Sequence, residues 1–430
     1  MMLPERKKVE KPHIVILGAG FGGVYTYRRL MKLLGDRVRF TIVSPDNYFL
    51  FTPLLHEVAT GSLEANHIVE PLRLITEYSC TKIIPAKAES IDIKDRSINI
   101  PSGKINFDYL VCATGAKTNF YNVLGAEQNS FVLKSLADAV KLREHFITMF
   151  EEASHSTHKQ TKEALLTFVI VGGGPTGVEL ATEISDLCYD TFLEYYHGQL
   201  LHNDIEIILV SSSPDVVPQF HEKVREKTKQ GLHRKGVRIL LSSSVGKVDE
   251  HGVVLVDGSH IESRTVIWTA GVCPNTPVFE GDIKPEIVGG RVVVGEKLSI
   301  KEDENIFFIG DVACALNSDG KPLPMLAQVA VQQATYVGDA IYKSILGKDS
   351  ENIFKYKNKG ELLSLGEWHA AGRVYGVTIW GPIAWFMWRT IYLFKFISKS
   401  KRLKIALDWT VNIFVPRDIT KISMHKHHEG

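Results

Sequence analysis

No C-x-x-C pair occurs in these 430 residues, and the five cysteines, Cys80, Cys112, Cys188, Cys273 and Cys314, stand far apart. An odd, scattered set is neither a disulfide framework nor a zinc site, and it suits a reducing compartment. Charge of one sign is missing too. With 50 Lys and Arg against 49 Asp and Glu the net charge is +1, so no nucleic-acid partner is expected. No apolar stretch follows the short charged segment Met1 to Pro12, so no secretory signal is expected. Metal-ligand spacing is also lacking; His425, His427 and His428 read as a solvated tail, and no metal is expected. What remains is ordinary for a globular protein, 44% apolar and 23% charged, and long enough for two or three domains.

Two strand–glycine–helix fingerprints stand out. His13-Ile-Val-Ile-Leu17 is an apolar run suited to a buried parallel strand, and it leads into Gly18-Ala-Gly20-Phe-Gly22-Gly23 and a helical stretch from Val24 to Leu34. In such a G-x-G-x-x-G, Gly18 allows the tight turn, Gly20 lets backbone approach a pyrophosphate, and Gly23 lets helix pack close to strand. The phosphate would sit on the helix N-terminus, where free N–H groups and the dipole favour an anion. Leu166-Thr-Phe-Val-Ile-Val171 repeats the pattern with Gly172-Gly-Gly174-Pro-Thr-Gly177 and a helix from Val178 to Leu187. One such motif is weak; two in the same context are not.

Further strand ends match. Asp108 to Gly115 and Thr265 to Gly271 each run into a small-residue turn, at Thr114-Gly115 and Ala270-Gly271, where a flat cofactor can abut the backbone. Asn305-Ile-Phe-Phe-Ile-Gly310-Asp311 ends in a carboxylate that can accept hydrogen bonds from a polyol such as the ribityl chain of a flavin, or that simply caps the next turn.

The order of these parts resembles the two-dinucleotide-binding flavoproteins, and within them the type II NADH dehydrogenases, over Ile14 to about Ser423. Asn47-Tyr-Phe-Leu-Phe-Thr-Pro-Leu-Leu55, Val58-Ala-Thr-Gly61, Trp268-Thr-Ala-Gly-Val272 and Ala327-Gln-Val-Ala-Val-Gln332 carry it most specifically. The resemblance implies an α/β fold of two Rossmann-like dinucleotide-binding domains and a C-terminal amphipathic helical membrane-anchoring segment. It implies FAD on the first fingerprint, with Gly18, Gly20, Gly22, Gly23, Ser44, Thr114, Gly115, Gly310, Asp311, Ala327 and Gln328 around it. Nicotinamide dinucleotide falls on Gly172, Gly174, Gly177, Ser211 and Gly271. The reaction implied is hydride transfer from NADH to FAD, then two electrons to a membrane quinone, without proton pumping. The domain boundaries expected are 12–125 and 286–370 for the FAD domain, 126–285 for the NAD(P)H domain and 371–430 for the membrane-associating segment.

Two departures matter, the second of them for the donor. The acidic residue that reads a ribose 2′-OH is replaced by Ser44 in the first half and by Ser211 in the second. Without a carboxylate nothing repels a 2′-phosphate, and no arginine in the turn attracts one, so NADH leads and NADPH stays open.

Three residues are expected to carry chemistry. Glu179, two residues after the second fingerprint, would orient the cofactor or relay a proton; the alternative is a first-turn glutamate favoured by the helix dipole. Gln328 and Gln332 are i and i+4 on one face of a helix beginning near Pro324, and the resemblance implies bonds to quinone carbonyls. A structural helix with two satisfied amides is the alternative. His56 and Tyr48 take no role, and Cys112 reads as a small core residue.

The tail has its own character. Val374 to Trp388 is uncharged and aromatic but is broken at Gly381-Pro382, so a crossing helix of about 20 residues is not expected. Leu403, Leu407, Val411 and Phe414 share a helical face beside the basic Lys399, Lys401, Arg402 and Lys404, which suits a helix lying in the interface on anionic headgroups. A dimer contact or a core helix is the other reading. The expectation is a peripheral, monotopic protein on the cytoplasmic face of a membrane, with a homodimer open and the tail separable from the dinucleotide halves. A sulfide:quinone oxidoreductase would need paired redox cysteines, which are missing; a flavoprotein that signals through a partner is the rival of another class.

Overall fold

The structure, a computed structural model, describes residues 11–348 and 352–421, so His425, His427 and His428 lie outside the described residues. In chain order the elements that position the site begin with β1 (His13–Leu17), α1 (Phe21–Leu34), β2 (Arg39–Ser44), α2 (Leu55–Ala59), β3 (Thr81–Pro85), β4 (Tyr109–Cys112) and α3 (Leu136–His155). There follow β5 (Thr167–Val171), α4 (Pro175–Asp186), β6 (Glu206–Val210), α5 (Glu222–Arg234), β7 (Val237–Leu240) and β8 (Thr265–Trp268). The last are β9 (Ile306–Phe308), α6 (Ala327–Ile345), β10 (Glu361–Ser364), β11 (Ala370–Val374), β12 (Val377–Trp380), α7 (Pro382–Lys395) and α8 (Lys399–Val411).

The chain forms two compact units. One comprises Met1–Phe49, Glu70–Lys117 and Cys273–Asn358; the other comprises Leu50–Val69, Thr118–Val272 and Lys359–Gly430. The first unit holds a parallel sheet in the order β9-β4-β1-β2-β3. Ile14 to Leu17 are buried on both faces, as helix-covered parallel strands must be. On this sheet α1 packs along α6, and Gly338 permits the approach, since a Cβ there would lie 2.6 Å from Cγ of Arg29. The Arg29–Asp339 pair, at 2.6 Å, pins the same crossing.

In the second unit the parallel order is β7-β6-β5-β8, and all five residues of β5 are buried. A three-stranded antiparallel sheet, β10-β11-β12, completes the unit together with α7 and α8. The aromatic run after Val374 divides between β12 and α7 at Gly381, whose φ of +75° is the left-handed turn glycine favours, followed by Pro382 at the first helical position.

The tail helices are amphipathic, with Trp385 and Trp388 of α7 and Ile405 and Trp409 of α8 buried. Ile383, Phe386, Phe394, Leu403, Leu407, Val411 and Phe414 are exposed, and no helix among the described residues is long and apolar enough to cross a membrane. The basic cluster differs from expectation. Arg402 donates to the Phe394 and Phe396 carbonyls at 3.3 and 2.7 Å, closing the end of α7, and Lys401 donates to the Asn66 carbonyl. Lys399 and Lys404 keep outward, exposed positions.

Candidate active site

The two glycine turns are built alike. Gly18 has φ +95° and donates its N–H to the Val43 carbonyl at 2.8 Å; Gly172 has φ +124° and donates to Val210 at 2.8 Å. A side chain at either position would run into the neighbouring strand end, against the Ala113 carbonyl in one turn and 2.6 Å from the Ala270 nitrogen in the other. Gly23 and Gly177 lie against the carbonyls of Gly18 and Gly172, leaving no room for a Cβ. Gly22 is closely packed as well, with Ala113 Cβ 3.0 Å from a Cβ placed there.

Gly20 and Gly174 are different, because a Cβ at either meets nothing within 4 Å. Each is the residue before its helix, with no side-chain cap and no acid in the first turn. Elsewhere the chain does cap: Ser135 and Asp138 close α3 reciprocally, at 3.1 and 2.7 Å. Two helix starts with no side-chain cap, open space at the residue before each and no competing carboxylate therefore fit a pyrophosphate each.

Around the first turn Thr114 donates from its hydroxyl to the Asn275 carbonyl at 2.8 Å, and Asn275 N–H donates to the Gly115 carbonyl at 2.9 Å. Gly115 and Gly310 both have φ +71°. Gly310 N–H donates to Gln333 Oε1 at 2.6 Å, so α6 holds the turn that carries the half-buried Asp311. Ser44 is buried at the end of β2. In the other unit Ser211 is buried after β6 and its hydroxyl accepts from Ser213 N–H at 3.3 Å. Gly271 lies against the Tyr121 hydroxyl, and Trp268 Nε1 donates to the Asn119 carbonyl at 2.8 Å.

The quinone-directed pair separates. Helix α6 starts at Ala327, three residues after Pro324, and Gln328 lies half-buried in its first turn. Gln332 is engaged on both sides of its amide: Nε2 donates to the Lys357 carbonyl at 2.9 Å and Oε1 accepts from Lys357 N–H at 3.1 Å. A satisfied structural amide describes Gln332.

Glu179 lies in the second turn of α4 rather than the first, since the helix begins at Pro175. It is buried, and one oxygen accepts from Ser364 N–H at 3.1 Å while the other lies 4.0 Å from His56 Nδ1. His56 Nε2 is buried without a hydrogen-bond partner. One helical repeat onward, Glu183 Oε2 accepts from Ser62 at 3.0 Å and from Arg417 Nη2 at 3.0 Å. Further along the same face, Asp186 pairs with Lys235 and accepts from Glu367 N–H at 2.7 Å. Glu57 of α2 accepts from Trp409 Nε1 at 2.6 Å, and the Arg389 guanidinium lies over Trp385 and Trp409, 3.7 and 4.9 Å from their centroids.

Burial dominates the electrostatics. It pushes Glu179 up to about 8, with Glu57 and Glu183 adding repulsion, and Glu57 up to about 7, with Glu183 adding to it. It also pushes Asp186 up to about 6 against the pull of Lys235, and His56 down to about 4, leaving that imidazole neutral. Glu183 alone ends lowered: burial, the largest influence, raises it, and Arg417 with the smaller pulls of its other neighbours, among them the Ser62 hydrogen bond, together outweigh that rise. At pH 7 the site therefore holds Glu183 ionised, Asp186 mostly ionised beside Lys235, Glu57 near its midpoint and Glu179 protonated.

The sequence reading reached Glu179 but missed Glu57, Glu183, Asp186, Lys235, Arg389, Trp409 and Arg417. A local signal existed: Glu179, Glu183 and Asp186 at i, i+4 and i+7 form one acidic stripe on a helix that also buries Val178, Leu180, Ala181 and Ile184. The cation had none, because Arg417 is 234 positions from Glu183. Cys112 is a core residue, fully buried and pushed up to about 12 by that burial, and none of the five cysteines is in a disulfide.

Residues 12–334 match the family signature described as pyridine nucleotide-disulphide oxidoreductase. A Dictyostelium discoideum protein named probable NADH dehydrogenase is 30% identical over 423 residues, covering 96% of this chain and 92% of the relative. The type II NADH:quinone oxidoreductase Ndh of Mycobacterium tuberculosis is 28% identical over 437 residues, covering 97% and 92%. The solved structure of a Plasmodium falciparum protein titled NDH2, in complex with NADH, superposes with a TM-score of 0.87 at 23% identity, covering 96% of this chain and all of that one. The chain belongs to the pyridine nucleotide-disulphide oxidoreductase family and, within it, to the type II NADH dehydrogenases.

Proposed function

We propose that this chain oxidises NADH through bound FAD and passes the electrons to a membrane quinone. The observation that carries the reading is the pair of uncapped glycine-turned helix starts, one per unit, each open where a dinucleotide pyrophosphate would lie. FAD belongs on α1, with Asp311 and the Thr114–Gly115 turn, and NADH belongs on α4, with Ser211 and Gly271. When bound, the flavin accepts a hydride and yields two electrons.

The protein's own contribution is binding and proton supply. NADH, one proton and quinone give NAD+ and quinol, so one proton beyond the hydride must come from elsewhere. Glu179 is suited to hold it, because burial keeps its carboxyl protonated at neutral pH. Gln328, at the uncapped first turn of α6, is the candidate for a quinone carbonyl; Gln332 supports that helix through Lys357. NADH is the preferred donor in this reading, because Arg225 and Lys229, on the helix after β6, are each drawn to Asp215 at 3.2 Å. Comparing NADH and NADPH oxidation with and without soluble quinone, on protein whose flavin has been identified, tests this. Turnover with NADH that needs no quinone, or none at all, would sink it.

Membrane association is the second part of the proposal. The outward faces of α7 and α8 fit a bilayer surface, on the cytoplasmic side that cysteines outside any disulfide suit. Each large apolar side chain seated in lipid contributes roughly 1.5–3 kcal/mol, whereas Lys399 and Lys404 supply about 1 kcal/mol each on anionic lipid. The hydrophobic term wins, so vesicle binding should depend only weakly on salt. Combined Leu403→Ser, Leu407→Ser and Val411→Ser should abolish flotation with vesicles and keep the fold. Variants that still float would place the anchor elsewhere, and a loss of dimer rather than of vesicle binding would assign the face to a second copy.

A further inference from the structure

The C-terminal segment reaches inward as well as outward. Trp409 lies on the buried side of α8 and donates to Glu57, and beyond the helix Arg417 inserts a guanidinium that is 11% exposed against Glu183. Arg417 Nη1 also donates to the carbonyls of Thr60 and Glu183, both at 3.4 Å, so one side chain ties α4 to the turn after α2. We propose that Arg417 and Trp409 are positioning residues for Glu179: by fixing the carboxylates of Glu183 and Glu57 beside it, they set the pH at which Glu179 releases its proton. The inference rests on the reading of Glu179 as proton donor.

The charges facing Glu179 can be followed element by element. Its own helix supplies Glu183 and Asp186, and α2 supplies Glu57 together with His56, which is neutral near pH 7 because burial holds it down. Helix α7 supplies Arg389 and Tyr392, a phenol that burial keeps protonated. Lys235 follows α5 and is paired with Asp186, and Glu367 follows β10. Arg389 lies between two indole rings, so Arg417 is the cation in contact with Glu183. Removing it takes one positive charge from four buried carboxylates. Such a coupled set titrates as a ladder, and with less positive charge every step moves to higher pH, including the last proton. Losing the Trp409 hydrogen bond removes a donor that favours ionised Glu57, which moves the ladder the same way.

The test is a pH titration of the infrared carboxyl band of the buried protonated acid in the FAD-loaded full chain, assigned by its loss in Glu179→Gln. The alkaline limb of NADH:quinone turnover is measured alongside. Arg417→Gln should move the midpoint upward by about one pH unit, Trp409→Phe by less, and Arg417→Lys should restore it. Trp409→Phe keeps a buried ring and decides the matter if Arg417→Gln does not fold. A purely structural role predicts lower stability with an unmoved midpoint, and that result in Trp409→Phe overturns the proposal. The two readings fail separately. An alkaline limb that survives Glu179→Gln removes Glu179 as proton donor, while a limb lost in Glu179→Gln but unmoved in Trp409→Phe removes only the positioning role.

Discussion

In the first unit the helix after the glycine turn buries Val24, Tyr27, Leu30 and Leu34, whereas in the second the equivalent helix buries Glu179, Glu183 and Asp186 among its apolar residues. The turns themselves are near copies, with matching left-handed glycines, matching strand hydrogen bonds and matching contacts of the last glycine. The turn is fixed by sterics, since backbone must approach phosphate and helix must approach strand, and both halves meet the same requirement. Beyond the turn the helices are free to differ. One became an ordinary apolar face against α6, and the other buries a row of carboxylates that distant segments must partner.

The largest effects should test the likeness of the turns. Gly23→Ala and Gly177→Ala each drive a methyl group into a backbone carbonyl, so each should cost about 3 kcal/mol or more of stability. Thermal denaturation checks this, and tolerance in one unit alone would break the parallel. Gly20→Val and Gly174→Val point into open space instead, so the fold should persist while function divides. The first should give colourless protein. The second should stay yellow and raise KM for NADH tenfold or more, a loss of about 1.4 kcal/mol.

A smaller effect separates the two helices by pH. Glu179 has a folded pKa of about 8 against an ordinary 4.5, so between those values the folded state binds the extra proton. Stability from this group is therefore greatest at low pH and falls as pH rises toward 8, by up to about 1.4 kcal/mol per pH unit. Glu183 works in the opposite sense: its lowered pKa contributes stability above 4.5 that is lost on acidification. Glu179→Gln should flatten the slope between pH 4.5 and about 8, read as urea midpoints at several pH values; an unchanged slope would show that Glu179 is ionised in the folded protein. Smallest of all, Gln332→Leu should cost about 1 kcal/mol by freeing the Lys357 backbone, with KM for quinone unmoved. Gln328→Leu should raise KM for quinone.

Legibility in the sequence followed the range of the interactions. Gly18, Gly20 and Gly23 and their counterparts could be read because turn, phosphate and helix start lie within a few residues of one another. Glu179 could be placed beside its motif, but not in its true helical turn, because Pro175 rather than Val178 opens the helix. Glu183 and Asp186 were visible only as polar residues in an apolar helix; the partners that make their burial affordable come from α2, α5 and the far C-terminus. Gln332 looked like a ligand-facing amide because its partner, the backbone of Lys357, carries no side-chain signature. The tail was read from its outer face alone. Its exposed leucines were legible as a stripe, but Trp409 and Arg417 make it part of the unit's interior, so cutting at Lys399 would take the Trp409 donor from Glu57 and the Arg417 cation from Glu183, the latter at roughly 3–5 kcal/mol for a broken buried pair.

The central claim is that electrons enter from a nicotinamide held on one glycine turn, reside on a flavin held on the other, and leave to quinone. Anaerobic rapid mixing of the yellow protein with one equivalent of NADH, followed by a soluble quinone, tests it most directly. Flavin absorbance should bleach stoichiometrically on the first mix and return in full on the second. Bleaching that quinone does not reverse, or no bleaching at all, would contradict the account.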